Sequence, residues 1–228
     1  IMSSKKVIVA LDGDNLKYIK KIANELKKEV YAFKIGYEFF FNFGLSGYKE
    51  IKKICPSIFL DLKLHDIPNT VQKGIKAIDR LKPLLTTIHI SGGDQMMKAS
   101  TIDRKYTKIL GVSVLTSLNN KQTHKYFNEN NIETLVRKFA KQAKMQKLDG
   151  IVCSPKEIKL IRKEVGKKFI IVTPGIRQTK KRKVGDDQNR VLSPIEAIEL
   201  GANFLVIGRP ITTASNPLET LKEINSSI

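Results

Sequence analysis

Tryptophan is absent from this chain, and aromatic residues make up only 7% of its 228 positions. None of them alternates with a basic run, which argues against the stacking platform that single-stranded nucleic-acid binding uses. No apolar run approaches the ~20 residues of a membrane span. The first one, Val7–Leu11, is too short and too weakly flanked to read as a signal peptide. Cysteine is scarce. Cys55 and Cys153 stand in no metal spacing and in apolar surroundings, so they read as reduced packing residues of a cytoplasmic protein. Acidic side chains number 22 against 41 basic ones, and the formal charge is +19. That excess invites a nucleic-acid reading. The lysines, however, fall on helix faces, as in Lys20-Lys21, Lys27-Lys28 and Lys52-Lys53, which is the pattern of a solvated surface. The expectation is no nucleic-acid partner and no membrane. The positive field would instead speed capture of a small anion.

What is present is a regular alternation. Apolar runs at Val7–Leu11, Tyr31–Ile35, Ile58–Leu62, Leu84–Ile90, Ile109–Leu115, Gly150–Cys153, Phe169–Val172 and Phe204–Ile207 read as strands. Between them lie helical patterns. Asn15 caps one that runs to Lys28, and Asn69 is placed to cap another with apolar positions at Val71, Ile75 and Ile78. A Phe-rich piece precedes a helix near Tyr48–Ile54, and a polar insert from Asn119 to Asn131 precedes a helix through Met145. Eight strand-then-helix units with no composition break predict an α/β fold, a (β/α)8 barrel forming one domain over residues 1–228. A doubly wound open sheet is the weaker alternative. In such barrels reactive groups gather at the C-terminal ends of the strands. Asp12, Lys34, Asp61, Lys63, His89, Thr116, Arg177 and Arg209 all fall there.

The stretch from Phe59 to Thr70 carries the strongest chemical signal. Asp61 and Lys63 are two apart in an extended run and share a face. Asp66 follows where the strand gives way to a turn. Mixed charges at the mouth of a buried strand must be paired to offset several kcal/mol of desolvation. A purely structural ion cluster accounts for the spacing as well as a reactive centre does. At the other end, Ile207-Gly208-Arg209-Pro210-Ile211 puts a glycine and a guanidinium where barrels of this kind bind phosphate. Pro174-Gly175-Ile176-Arg177 supplies a second such turn. The stretch Gln178–Leu192 reads as a long loop, with Lys180–Lys183 a solvated tip and Gln188 a plausible ligand contact. Of the histidines, His89 reads equally as a core residue or a site member, His65 need not face a ligand, and His124 lies in the polar insert. None is assigned a metal.

Taken together, Asp-Leu-Lys-Leu-His-Asp-Ile-Pro-Asn-Thr (Asp61–Thr70) resembles the Asp-x-Lys-x-x-Asp-Ile-x-x-Thr signature of the orotidine 5'-phosphate decarboxylases. The resemblance extends to Val9–Asp12, Phe33–Gly36, Val114–Ser117, Thr173–Arg177, Asp186–Gln188 and Ile207–Ile211, nearly the whole chain, with no departure at a key position. The Asp-x-Lys-x-x-Asp core alone also occurs in related barrels acting on sugar phosphates. The Ile-Pro-Asn-Thr continuation and the Pro-Gly-Ile-Arg and Gln segments favour the nucleotide enzyme. The resemblance implies loss of CO2 from orotidine 5'-monophosphate to give UMP, with neither metal nor organic cofactor. It implies an alternating array of Lys34, Asp61, Lys63 and Asp66, and a homodimer in which Asp66 and Thr70 complete the neighbouring subunit's site. It places Asp12 and Lys34 on the ribose, and Thr116 and Ser117 on the pyrimidine edge. Gln188, Gly208 and Arg209 would hold the phosphate, with Arg177 close by.

The residues suit that chemistry. Breaking the bond to C6 leaves an electron pair that the ring delocalises poorly, so fixed charges must stabilise it. Negative neighbours favour the charged form of Lys63, which can meet the carbanion and then protonate C6. Asp61 is assigned to orienting Lys63. Phosphate is remote from C6, so its binding energy can drive closure and water exclusion.

Overall fold

In the computed structural model the alternation becomes a closed ring of eight parallel strands in the order β1 to β8. The structure describes residues 5–176 and 192–228. The elements run β1 (Val7–Ala10), α1 (Leu16–Leu26), β2 (Ala32–Ile35), α2 (Tyr37–Ile54), β3 (Ile58–Leu64), α3 (Pro68–Leu81), β4 (Leu85–His89) and α4 (Asp94–Ser100). They continue with β5 (Lys108–Val112), α5 (Asn120–Phe127), α6 (Ile132–Met145), β6 (Gly150–Val152), α7 (Ile158–Val165) and β7 (Ile170–Pro174). After residue 191 come α8 (Pro194–Glu199), β8 (Phe204–Ile207), α9 (Arg209–Thr212) and α10 (Pro217–Ser226). The chain forms two compact units, residues 1–59 with 173–228, and residues 60–172.

In the first unit β1 is buried along its whole length, as a parallel strand covered on both faces must be. It pairs with β2 in the register Ile8 to Ala32 and with β8 in the register Ile8 to Val206. Helix α1 lays Ile19, Ile22, Ala23 and Leu26 into this core, and its Asn15 side chain accepts from the Tyr18 N–H at 3.0 Å. Tyr31 and Phe204 stack at 3.9 Å between ring centroids. The Phe-rich piece, which the sequence left outside its helix, is helical. Helix α2 starts at Tyr37, and Phe39, Tyr48 and Ile51 are buried. The break that divides the sequence pattern is Gly44, at φ 56°, ψ −150°, a conformation only glycine takes readily.

In the second unit β4, β5, β6 and β7 pair in order, Thr87 opposite Leu110, Leu110 opposite Gly150, and Gly150 opposite Ile170. Asp79 on α3 is buried and accepts from three consecutive backbone N–H groups, Lys105, Tyr106 and Thr107. Burial alone would raise its carboxyl group, but those three donors hold it below its ordinary value. Two sequence expectations are corrected here. Helix α3 begins at Pro68, not after an Asn69 cap. Proline at the first helical position lacks only an N–H that would have had no partner, and no side chain caps this end. The polar insert contains α5, with a capping box in which Asn119 and Gln122 each accept from the other's backbone N–H. Its apolar periodicity is weak, so the hydrophobic pattern does not reveal it.

Candidate active site

The expected site residues that the structure describes lie in the C-terminal parts of strands or beyond them, in one group in each unit. In the first unit, Lys34 near the end of β2 lies 3.6 Å from the Asp12 carboxylate, just past β1. Lys34 is half-buried and Asp12 exposed. Gly208 occupies the N-cap position of α9, and Arg209 opens that helix with its side chain exposed. A cleft of about 260 Å³ in this unit is lined by Asp12, Gly13, Tyr18, Glu38 and Arg209 among others, so one concavity holds a carboxylate suited to hydroxyls and a guanidinium suited to an anion. Tyr18 donates its hydroxyl to the Thr212 carbonyl at 3.0 Å, tying α1 to α9 beside that cleft.

Gly36 explains how Lys34 and Asp12 fit. A Cβ there would lie 2.9 Å from Lys34 Nζ and 3.6 Å from Asp12 Oδ1. Its φ of −102° suits any residue, so alanine at this position meets no backbone penalty. Gly36→Ala is therefore expected to keep or slightly raise Tm while lowering kcat/KM on the order of 10- to 100-fold through a displaced ammonium. Thermal melts and steady-state kinetics on the same preparation check both halves.

In the second unit the group is built on β3 and β4. Asp61 is only 7% exposed. Its Oδ2 accepts from Lys63 Nζ at 2.9 Å and its Oδ1 from the Thr87 hydroxyl at 2.8 Å. The same hydroxyl accepts from the Lys63 backbone N–H at 2.9 Å. Lys63 itself has φ 44°, uncommon for a residue with a side chain. The His65 and His89 rings lie 5.3 Å apart. Burial, then the positive charge of His65 and Lys63, lowers the His89 imidazole below its ordinary value against the pull of Asp61. His89 thus belongs to the electrostatic surroundings of the pair, and His65 is exposed beside it.

The remaining positions divide plainly. Asp66 is exposed in the turn before α3, its Oδ1 accepting from the Ile67 N–H at 2.7 Å, and Thr70 is exposed in the first turn of α3. Thr116 and Ser117 follow β5 and are exposed. Strand β5 ends at Val112 rather than Leu115, although the Ser113 N–H still bonds the Val152 carbonyl at 3.1 Å. Arg177 and Gln188 lie outside the described residues. Thr87 is the member that sequence reasoning missed. Its signal was faint: two adjacent threonines, Thr86 and Thr87, in an otherwise apolar strand.

The chain is similar to known proteins along nearly its whole length. The model of the Orotidine 5'-phosphate decarboxylase / HUMPS family matches residues 5–224. An orotidine 5'-phosphate decarboxylase of Wolbachia pipientis subsp. Culex pipiens is 43% identical over 224 residues, covering 97% of this chain and 98% of that one. Its counterpart in Vibrio cholerae serotype O1 (strain ATCC 39541) is 41% identical over 232 residues, with 100% of each chain covered. Among solved structures, orotidine 5'-phosphate decarboxylase from Lactobacillus acidophilus superposes with a TM-score of 0.84 at 36% identity, over 98% of this chain and 99% of that one. With similarity running from end to end in both sequence and backbone, the chain belongs to the Orotidine 5'-phosphate decarboxylase / HUMPS family.

Proposed function

We propose that the chain converts orotidine 5'-monophosphate to UMP and CO2, a step of pyrimidine biosynthesis, with fixed charges of its own and no metal or organic cofactor. The relatives' names support the reaction. The observation that carries the mechanism is the Lys63 ammonium held 2.9 Å from a buried carboxylate. As the bond from C6 to the carboxylate breaks, its electron pair stays on C6 and CO2 leaves. The Lys63 ammonium faces that pair, stabilises it and gives C6 a proton, and the resulting amine regains one from water. Asp61 orients the ammonium. Lys34 and Asp12 take the ribose hydroxyls, Thr116 and Ser117 the pyrimidine edge, and Gly208 and Arg209 the phosphate, with Arg177 and Gln188 assigned to the same end.

A homodimer is part of this proposal, with Asp66 and Thr70 serving the neighbouring subunit. Exposure of Asp66 and Thr70 supports it, as does Ile67 between them, an apolar side chain 66% exposed. Sedimentation at micromolar concentration is expected to give about twice the 25.7 kDa chain mass, and a monomer would count against the shared site. Closure of the eight strands into one ring supports reading residues 1–228 as a single domain. Among the described residues no helix is long and apolar enough to cross a membrane, which accords with the cytoplasmic placement proposed.

The deciding experiment follows the loss of orotidine 5'-monophosphate absorbance with purified protein in EDTA. Turnover is expected to proceed unchanged. The sugar-phosphate members of this barrel group include metal-dependent enzymes, so absence of UMP in EDTA, with turnover of a sugar phosphate on adding Mg2+, would move the chain to that branch.

A further inference from the structure

Thr87 stands apart from every role assigned above. It is on β4, fully buried, and 24 residues from Lys63 in sequence, so it has no ligand-facing surface of its own. Yet its single hydroxyl serves both members of the central pair, donating to Asp61 Oδ1 at 2.8 Å and accepting from the Lys63 N–H at 2.9 Å. With the Lys63 ammonium on Asp61 Oδ2 at 2.9 Å, the lysine is tied to one carboxylate twice, its side chain directly and its backbone through the Thr87 hydroxyl. The tie falls at the residue whose φ is 44°. A backbone outlier of this kind persists only where its surroundings over-determine it. The neighbouring Thr86 bonds instead to the Leu60 carbonyl, so the two threonines are not interchangeable.

We propose that Thr87 is a positioning residue for the reaction. Its hydroxyl holds the Lys63 backbone in the left-handed conformation and fixes the rotation of the Asp61 carboxylate, and so aims the ammonium. Valine has nearly the same outline but takes the hydroxyl away from both the Lys63 N–H and Asp61 Oδ1. Serine keeps the hydroxyl and loses only a methyl group. This inference rests on the mechanistic reading of Lys63 given above.

The test compares Thr87→Val and Thr87→Ser with the unmodified enzyme. The valine variant is expected to lose about 10- to 100-fold in kcat, the range that a buried hydrogen bond supports, with KM for orotidine 5'-monophosphate within about threefold because Thr87 touches no ligand. The serine variant is expected to recover to within about threefold of the original kcat. Amide hydrogen exchange gives a readout that does not depend on turnover: the Lys63 N–H should exchange at least about tenfold faster in Thr87→Val. Unchanged kcat in Thr87→Val, or equal losses in both variants, overturns the proposal. If the valine variant does not fold, Thr87→Cys, close in volume with a weaker donor, takes its place under the same criteria. Lys63→Ala is run beside them. If it is inactive while Thr87→Val is normal, only the positioning role fails. If Lys63→Ala turns over normally, the mechanistic reading fails, and the exchange rate alone still decides what Thr87 holds.

Discussion

Lys63→Ala is expected to lower kcat/KM for orotidine 5'-monophosphate by about 10⁵-fold and to leave the fold in place. The size follows from two separate losses. A preorganised charge facing a developing anion contributes about 10²- to 10³-fold, and a positioned proton donor about 10²- to 10⁴-fold. Both roles reside in one nitrogen, so they vanish together. The variant also removes the Lys63 ammonium from the Asp61 carboxylate, which is only 7% exposed. That carboxylate still accepts from Thr87, but loss of a partner to a largely buried charge has a stability cost, so a fall in Tm of several degrees should accompany the kinetic loss. Single-turnover kinetics separates the effects, because the chemical step should slow while UMP binding, governed by the phosphate end, changes little. A Lys63→Ala protein that turned over at even a tenth of the normal rate would end the carbanion role of this residue.

Arg209→Ala is expected to divide substrates rather than abolish activity. For orotidine 5'-monophosphate kcat/KM should fall about 10²-fold, as loss of a charge-assisted hydrogen bond worth ~1.5–3 kcal/mol implies. For orotidine, which has the same pyrimidine and ribose but no phosphate, the change should stay within about threefold. Arg209 opens α9 beyond β8 and lines the same cleft as Asp12, whereas the chemistry is assigned to Lys63 on β3. Binding energy collected far from the reacting carbon can still lower the barrier when it is realised more fully in the transition state. Steady-state kinetics on the two substrates, each with the original and the variant protein, reads this directly. Equal losses on both would show that Arg209 shapes the protein rather than holding the phosphate.

How much of this was visible in residues alone varied with the kind of signal. Strand β8 was legible to the residue, Phe204–Ile207, because an apolar run between Asn203 and Gly208 has clear ends. Helix α1 was legible because apolar spacing and an Asn cap agree. Helix α5 was not, since its stability comes from its termini and its faces are polar. The Phe-rich start of α2 was lost because Gly44 divides the pattern in two. At the site, Asp61 and Lys63 could be paired from spacing, a relation local to one strand. Thr87 could not, because its contact joins strands 26 residues apart in the chain and depends on the register of the ring. Likewise, nothing in a list of residues shows that Gly36 keeps space open for the Lys34 ammonium.

The left-handed backbone at Lys63 sets two contributions to stability against each other. Glycine, or to a lesser extent asparagine, would occupy that conformation with less strain, by ~1 kcal/mol or more. Glycine would also take the ammonium away from Asp61, only 7% exposed, so what the backbone gains is set against the cost of that lost charge. Backbone relief and charge pairing thus oppose each other at one residue, and of the side chains compared only lysine brings an ammonium to that carboxylate.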